Sequence, residues 1–274
     1  MCTCTFSYGQ SHFISNNQTN RSFEDPDSIN FISPYDLELK RELILIGSGA
    51  LLNITGLIVV ENISPLTVQE INELDVNDIN SFDRIAIKPH RESLNGDYLL
   101  YGSFLLPLTF LANDYTRHDW QMLGAMWLEV MAIQSGINLL IKGLAKRARP
   151  YVYDPNTPLE KKQTVGARLS FYSGHTSTTA ATTFYIARVF SNYLSNKTVK
   201  TLIWIGAAIY PALTGYLRRD TGNHFRTDVI TGYLIGAAIG YFIPEIHLRN
   251  EALNVSFYRN FYNESVNISL NYSF

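Results

Sequence analysis

The chain has 274 residues and a formal net charge of −2, with a pI of about 6.3, so the global balance gives no argument for nucleic-acid binding and basic residues must be read locally. Hydrophobic residues make up 46% and charged residues 17%, with mean hydropathy of −0.03, a value between those of a soluble domain and a polytopic membrane protein. The two cysteines, Cys2 and Cys4, sit together at the start and exclude a disulfide framework.

In chain order, residues 1–40 are polar, rich in Ser, Asn and Asp, and lack the basic start and apolar centre of a signal peptide; they read as a loose arm. Residues 43–60 carry no charge over 18 positions, which as a helix would span about 27 Å. Similar apolar runs follow at 98–113, 120–141, 178–194, 201–217 and 229–243. The pattern predicts an all-α, six-helix bundle occupying residues 41–247. A soluble bundle is the alternative, since several runs are short and two carry Glu129 or Arg188. The uncharged lengths, and the Gly, Ala and Ser that let helices pack closely in lipid, favour a transmembrane bundle.

The connector at 61–97 is acidic. Asp75, Asp78 and Asp83 match no metal-loop spacing and are expected on a solvated face. In the tail, 248–274, Val266, Ile268, Leu270, Tyr272 and Phe274 alternate with polar residues, a strand pattern that "LNVSF" could complete as a small β-hairpin. Two strands cannot close a barrel, so the tail reads as an accessory element.

Three polar clusters interrupt the apolar runs. In "LRRDTGNHFRTD", His224 and Asp228 are four apart, so a helix starting there would place a carboxylate beside an imidazole; a capping Asp with a loop histidine is the bland alternative. Arg218 opens that segment and Gly222 permits a tight turn back toward the histidine. In "KGLAKRARP", Lys142 and Arg149 lie seven apart, almost two helical turns, and so are expected on one stripe, while Pro150 pushes Arg149 out of helical geometry and ends the segment; basic residues complementing a helix dipole or anchoring at lipid headgroups are the alternative. In "YSGHTS", Ser173 and Gly174 at a helix start would offer backbone N–H groups to an anion, with His175 placed to donate a proton; alone, this is no more than a Ser cap. In a six-helix bundle the loops after the third and fifth helices emerge on one side, so the clusters meet. Two arginines, a lysine and helix-terminal N–H groups facing an imidazole make a phosphate site.

The spacing resembles the type 2 phosphatidic acid phosphatase (PAP2) superfamily, which also includes vanadium-dependent haloperoxidases. Lys142 with Arg149-Pro150 fits K-x6-R-P, Ser173-Gly174-His175 fits the core of P-S-G-H, and Arg218, His224 and Asp228 fit S-R-x5-H-x3-D. The likeness covers about residues 95 to 245; Tyr172 stands where the family has Pro and Leu217 where it has Ser, which bears on loop shape and substrate fit. The resemblance implies a PAP2/haloperoxidase-type bundle and a phosphohistidine mechanism. In it His224 is the nucleophile, Asp228 orients it, and His175 protonates the leaving group and activates water. Lys142, Arg149, Arg218, Ser173 and Gly174 hold the phosphoryl oxygens, with no metal and no cofactor.

Its implied partners are a bilayer and a lipid phosphate substrate (phosphatidic acid, phosphatidylglycerol phosphate, an isoprenyl diphosphate or a lipid A phosphate), with no nucleic acid and no stated oligomeric state. Lys40, Arg41, Arg117, Lys197, Lys200 and Arg249 lie opposite the site, which by the positive-inside rule faces it to the periplasm of a bacterial inner membrane; Arg84, Lys88 and Arg91 weigh the other way. The rival functions are a vanadate-holding haloperoxidase and a membrane protein that binds lipid phosphate without turnover.

Overall fold

A computed structural model describes residues 33–91 and 94–249 in full, and residues 254–260 and 265–271 as backbone. In chain order the helices are α1 (Leu39–Glu61), α2 (Val68–Glu73), α3 (Ser81–Arg84), α4 (Asn95–Leu105), α5 (Asp114–His118), α6 (Trp120–Ala145), α7 (Leu159–Lys162), α8 (Gly174–Tyr193), α9 (Lys197–Asp220) and α10 (Arg226–Ile246). The six long ones, α1, α4, α6, α8, α9 and α10, are the six expected from the apolar runs. The second differs in form: α4 ends at Leu105 and the chain continues as a 3₁₀ segment, Leu106–Ala112, because Pro107 has no N–H to give an α-helical ladder.

Helix α8 is the hub. It packs against α4, α6, α9 and α10, while α1 lies along α6. Most of α8 is buried although it is rich in threonine, and its hydroxyls bond back to its own carbonyls, as Thr179 does to His175 O at 2.9 Å and Thr183 to Thr179 O at 2.9 Å. The core beside it contains Phe110, Leu123, Met126, Val130, Tyr185 and Val189. Close approach of α10 is possible because Gly232, Gly236 and Gly240 recur every four residues. A Cβ at 232 would lie 2.6 Å from Ser173 O, and those at 236 and 240 would meet the carbonyls of Ser177 and Ala181.

Among the described residues, three helical segments are long and apolar enough to cross a membrane: Leu39–Glu61, Trp120–Tyr153 and Arg226–Ile246. With 23 residues, α1 is about 35 Å long. Its outer face exposes Leu43, Ile44, Leu51, Ile54 and Ile58, each more than half exposed, and Leu202, Ile209, Leu234 and Phe242 continue the apolar surface on α9 and α10. So much exposed apolar area suits lipid and not water, which removes the soluble-bundle alternative and makes this a membrane protein.

The polar arm through residue 40 is described only from residue 33 onward, and there it is not loose. Tyr35 is fully buried, bridges Leu248, and its hydroxyl accepts from Asn192 Nδ2 at 2.7 Å. The remainder of the arm lies outside the described residues. The acidic connector folds over the end of the bundle where α6 stops: Leu66 joins Tyr151, Val152 and Ala167 in a small second core, and Arg168 pairs with Glu70. Within the tail the described residues form a hairpin, while Leu253, Tyr272 and Phe274 of the expected strands lie outside the described residues. Strands β1 (Asn254–Asn260) and β2 (Ser265–Asn271) pair antiparallel, with Val255 opposite Leu270 and Phe257 opposite Ile268.

Candidate active site

The three clusters converge where α6 and α9 end and α8 and α10 begin. Lys142 occupies the last turn of α6, which is closed by Lys146 in the left-handed conformation (φ 44°). The helix ends before Arg149, so the two do not share a helical stripe, and Arg149 is out of helical geometry as Pro150 predicts. It lies in an extended segment (φ −74°, ψ 155°) set by Pro150, and re-enters the site from there. Its Nε donates to Gly166 O at 2.8 Å and its Nη1 to Asn223 Oδ1 at 3.0 Å.

Gly174 opens α8 with no Cβ; one there would lie 2.7 Å from Asn138 Oδ1 and 3.1 Å from Lys142 Nζ, so only glycine lets the ammonium reach this helix start. Ser173 is buried; its N–H donates to Asp228 O at 3.0 Å and its Oγ lies 2.9 Å from Thr176 Oγ1, so its backbone N–H is already engaged. His175, in the first turn, places Nε2 2.7 Å from Asp97 Oδ1 of α4. The same oxygen accepts from Arg218 Nη1 at 3.0 Å, at the last turn of α9. Gly222, at φ +72°, turns the chain from α9 toward His224.

His224 is almost wholly buried and precedes α10 instead of lying on it. Its Nδ1 is 2.8 Å from Ser170 O, an acceptor only, so Nδ1 carries the proton and Nε2 keeps its lone pair. Asp228 Oδ2 is 3.7 Å from Nδ1, close enough to act on the ring by charge and too far for a hydrogen bond. The carboxylate is used elsewhere as well: it caps α10 by accepting from Phe225 N at 2.8 Å, and it accepts from Ser170 Oγ at 2.5 Å and Arg147 Nη1 at 2.6 Å. The capping and imidazole-facing readings of Asp228 thus both hold.

Arg147 and Asp83 join the site without any signal in the motifs. Arg147 Nη2 donates to Asp83 Oδ2 at 2.8 Å, and its guanidinium stacks on Phe225 at 4.1 Å. Asp83 is fully buried and accepts from Thr227 N at 2.9 Å and Thr227 Oγ1 at 2.6 Å. The expectation that Asp83 lies on a solvated face is therefore wrong: the connector inserts it beneath the first turn of α10, where Arg147 and Thr227 compensate its charge. Asp97 was missed too, because its partners lie 78 and 121 residues away. Arg147, two residues before Arg149 in "KRARP", was the one addition the sequence could have suggested.

Electrostatics follow from this packing. His224 is pushed down to about 3, chiefly by burial and further by the Arg149 and Lys142 charges, with Asp228 opposing. His175 is pushed down to about 4 by burial and by Arg218, with Asp97 opposing. Among the described residues neither Lys142 nor Arg149 has a carboxylate in ion-pair range, and Arg218 Nε has no hydrogen-bond partner. A cavity of about 300 Å³ opens beside them, lined by His90, Arg91, Leu94, Asp97, Lys161, Arg218 and Asn223.

The helical bundle thus gathers Lys142, Arg149 and Arg218 around a buried imidazole, an arrangement chemically suited to holding an oxyanion. Residues 124–252 match the model of the PAP2 superfamily. The chain is similar to lipid A 4'-phosphatase of Porphyromonas gingivalis, 28% identical over 137 residues that make up 48% of this chain and 54% of the relative, so it spans about half the length of that protein. It is also similar to the crystal structure of a transmembrane PAP2 type phosphatidylglycerolphosphate phosphatase from Bacillus subtilis, with a TM-score of 0.45 and 23% identity over 72% of this chain and 94% of that one.

Proposed function

We propose that the protein is a metal-independent phosphatase that hydrolyses a lipid phosphate through a phosphohistidine on His224. The observation that carries this reading is the Ser170 carbonyl on Nδ1 of His224, which fixes the tautomer with a lone pair on Nε2. A buried imidazole held neutral is a competent nucleophile at neutral pH. Lys142, Arg149 and Arg218 would take the phosphoryl oxygens, with Gly174 allowing close approach at the helix start. Nε2 attacks phosphorus as the bond to the lipid oxygen breaks, and His175 gives that oxygen its proton. His175, then neutral, takes a proton from water, whose oxygen attacks the phosphohistidine and frees phosphate and His224.

Asp228 supports the imidazolium that develops, acting by charge across 3.7 Å. Asp83 and Arg147 are positioning residues: they hold Asp228 and the start of α10, and touch no reacting atom. Asp97 lies between His175 and Arg218, where a phosphoryl oxygen would have to compete with it.

The membrane-facing bundle supports a lipid substrate, and the similarity to a lipid A 4'-phosphatase favours a phosphate monoester on a saccharolipid over a diphosphate. The basic residues at the far helix ends support an inner-membrane protein with the site facing the periplasm. The test is phosphate release by the purified, detergent-solubilised protein, with EDTA present, from a panel of lipid A phosphates, phosphatidic acid, phosphatidylglycerol phosphate and isoprenyl diphosphates. Release strongest from the lipid A phosphates is expected; release from none of the lipids would overturn the reading.

A further inference from the structure

At the opposite end of the helices, three ionisable side chains from different elements converge in the interior. Glu42 comes from the first turn of α1, Glu129 from the third turn of α6, and His247 caps α10, 19 residues or about 28 Å beyond Asp228. Glu129 and His247 have no solvent exposure. Nε2 of His247 lies 3.0 Å from Glu42 Oε2 and 3.1 Å from Glu129 Oε2, and the three atoms fall within 4.8 Å of one another.

The surroundings have the form of an outer ligand shell. Nδ1 of His247 is 2.7 Å from Ile243 O, so it carries a proton and aims Nε2 at the two carboxylates. Arg41 Nε donates to Glu42 Oε1 at 3.0 Å and leaves Oε2 turned inward. Metal-bound histidines and carboxylates are oriented in this way, by a backbone carbonyl and by a second hydrogen bond. Glu129 supplies the independent observation: neither of its oxygens receives a hydrogen bond of ordinary geometry among the described residues, though the side chain is fully buried in a membrane-crossing helix. An imidazolium there has a single Nε2 proton for two carboxylates, and a neutral ring faces them with a lone pair; a divalent cation between the three atoms serves all three. A tetrahedral ion with bonds of about 2.0–2.1 Å holds neighbouring ligand atoms about 3.3 Å apart, close to the separations seen here.

We propose that Glu42, Glu129 and His247 bind a first-row divalent cation, zinc foremost, that fastens α1, α6 and α10 together. One nitrogen and two carboxylate oxygens suit zinc, and a water would complete the shell. The site shares no ligand with the phosphate pocket, so hydrolysis does not pass through it.

The test uses the full chain in detergent, stripped with EDTA, dialysed, and titrated with Zn²⁺ and with Co²⁺ as a spectroscopic substitute. Expected are one zinc retained per chain by elemental analysis, visible Co²⁺ absorption of a low-coordinate site, and a thermal midpoint raised by about 5 °C at saturating zinc. Glu129→Gln and His247→Gln should each weaken binding at least tenfold, and His224→Ala should leave it unchanged. No retained zinc and no Co²⁺ spectrum in the wild type, or binding indifferent to both substitutions, would overturn the site and leave a proton-sharing ion triad. The wild-type spectrum decides the matter even where a variant fails to fold, and neither outcome alters the phosphatase assay run in EDTA.

Discussion

Asp83 carries a fully buried charge that is held by one guanidinium and one residue of α10. Removing Asp83 leaves the Thr227 donors without their acceptor while Arg147 keeps Asp228, so Asp83→Ala should cost about 1–3 kcal/mol of stability, read as a lower denaturation midpoint. Arg147→Gln should lower kcat more than it raises KM, because it loosens Asp228 and not the phosphate cradle; an unchanged kcat would mean that the arginine serves folding alone. Asp97→Asn should tighten binding of inorganic phosphate several-fold, since a competing carboxylate leaves the gap between His175 and Arg218; calorimetric titration measures this, and weaker binding would refute it. The motif residues were legible because their order and spacing are fixed along the chain. Asp83 and Asp97 were not, because a carboxylate's burial depends on partners 64 and 78 or more residues away that no local pattern records.

At the scale of elements, the apolar runs gave the six long helices, because a helix that faces lipid or the bundle interior carries few charges along its length. Their ends were less legible. Pro150 marked Arg149 as non-helical, but the left-handed cap at Lys146 that ends α6 already before Arg147 left no such mark. The run at 178–194 begins as a helix at Gly174, where the polar Thr-rich turn hides the start and where His175 is placed. The α8–α10 contact rests on glycines that admit backbone against backbone. Gly236→Ala would press a methyl group onto Ser177 O. Overpacking of that kind costs about 1–3 kcal/mol, and the variant should show a lower thermal midpoint together with reduced turnover. Full stability with full activity would show that the contact is looser than the packing indicates.

For the whole molecule, the two depressed imidazoles set a pH dependence. His224 titrates near 3 and His175 near 4 in the folded, empty protein, against about 6.5 in the unfolded chain. Between those values the unfolded chain binds protons that the folded one refuses, so stability is full above about pH 6.5 and falls as the pH drops toward 4. Thermal melts from pH 7.5 to 5 should show this slope, and His224→Ala should flatten it. Substrate changes the balance for His175: a phosphate beside it favours the imidazolium, so binding of phosphate or vanadate near pH 6.5 should take up protons. Calorimetry in buffers of different ionisation enthalpy reads that uptake directly.

The central claim is that His224 becomes covalently phosphorylated. A ³²P-labelled lipid phosphate mixed with excess enzyme and quenched in alkaline SDS, where phosphohistidine survives, tests it most directly. The account predicts label on the protein that maps to His224, decays as phosphate is released, and is absent along with turnover in His224→Ala. Phosphate release by His224→Ala at the wild-type rate, or label on another residue, would contradict it.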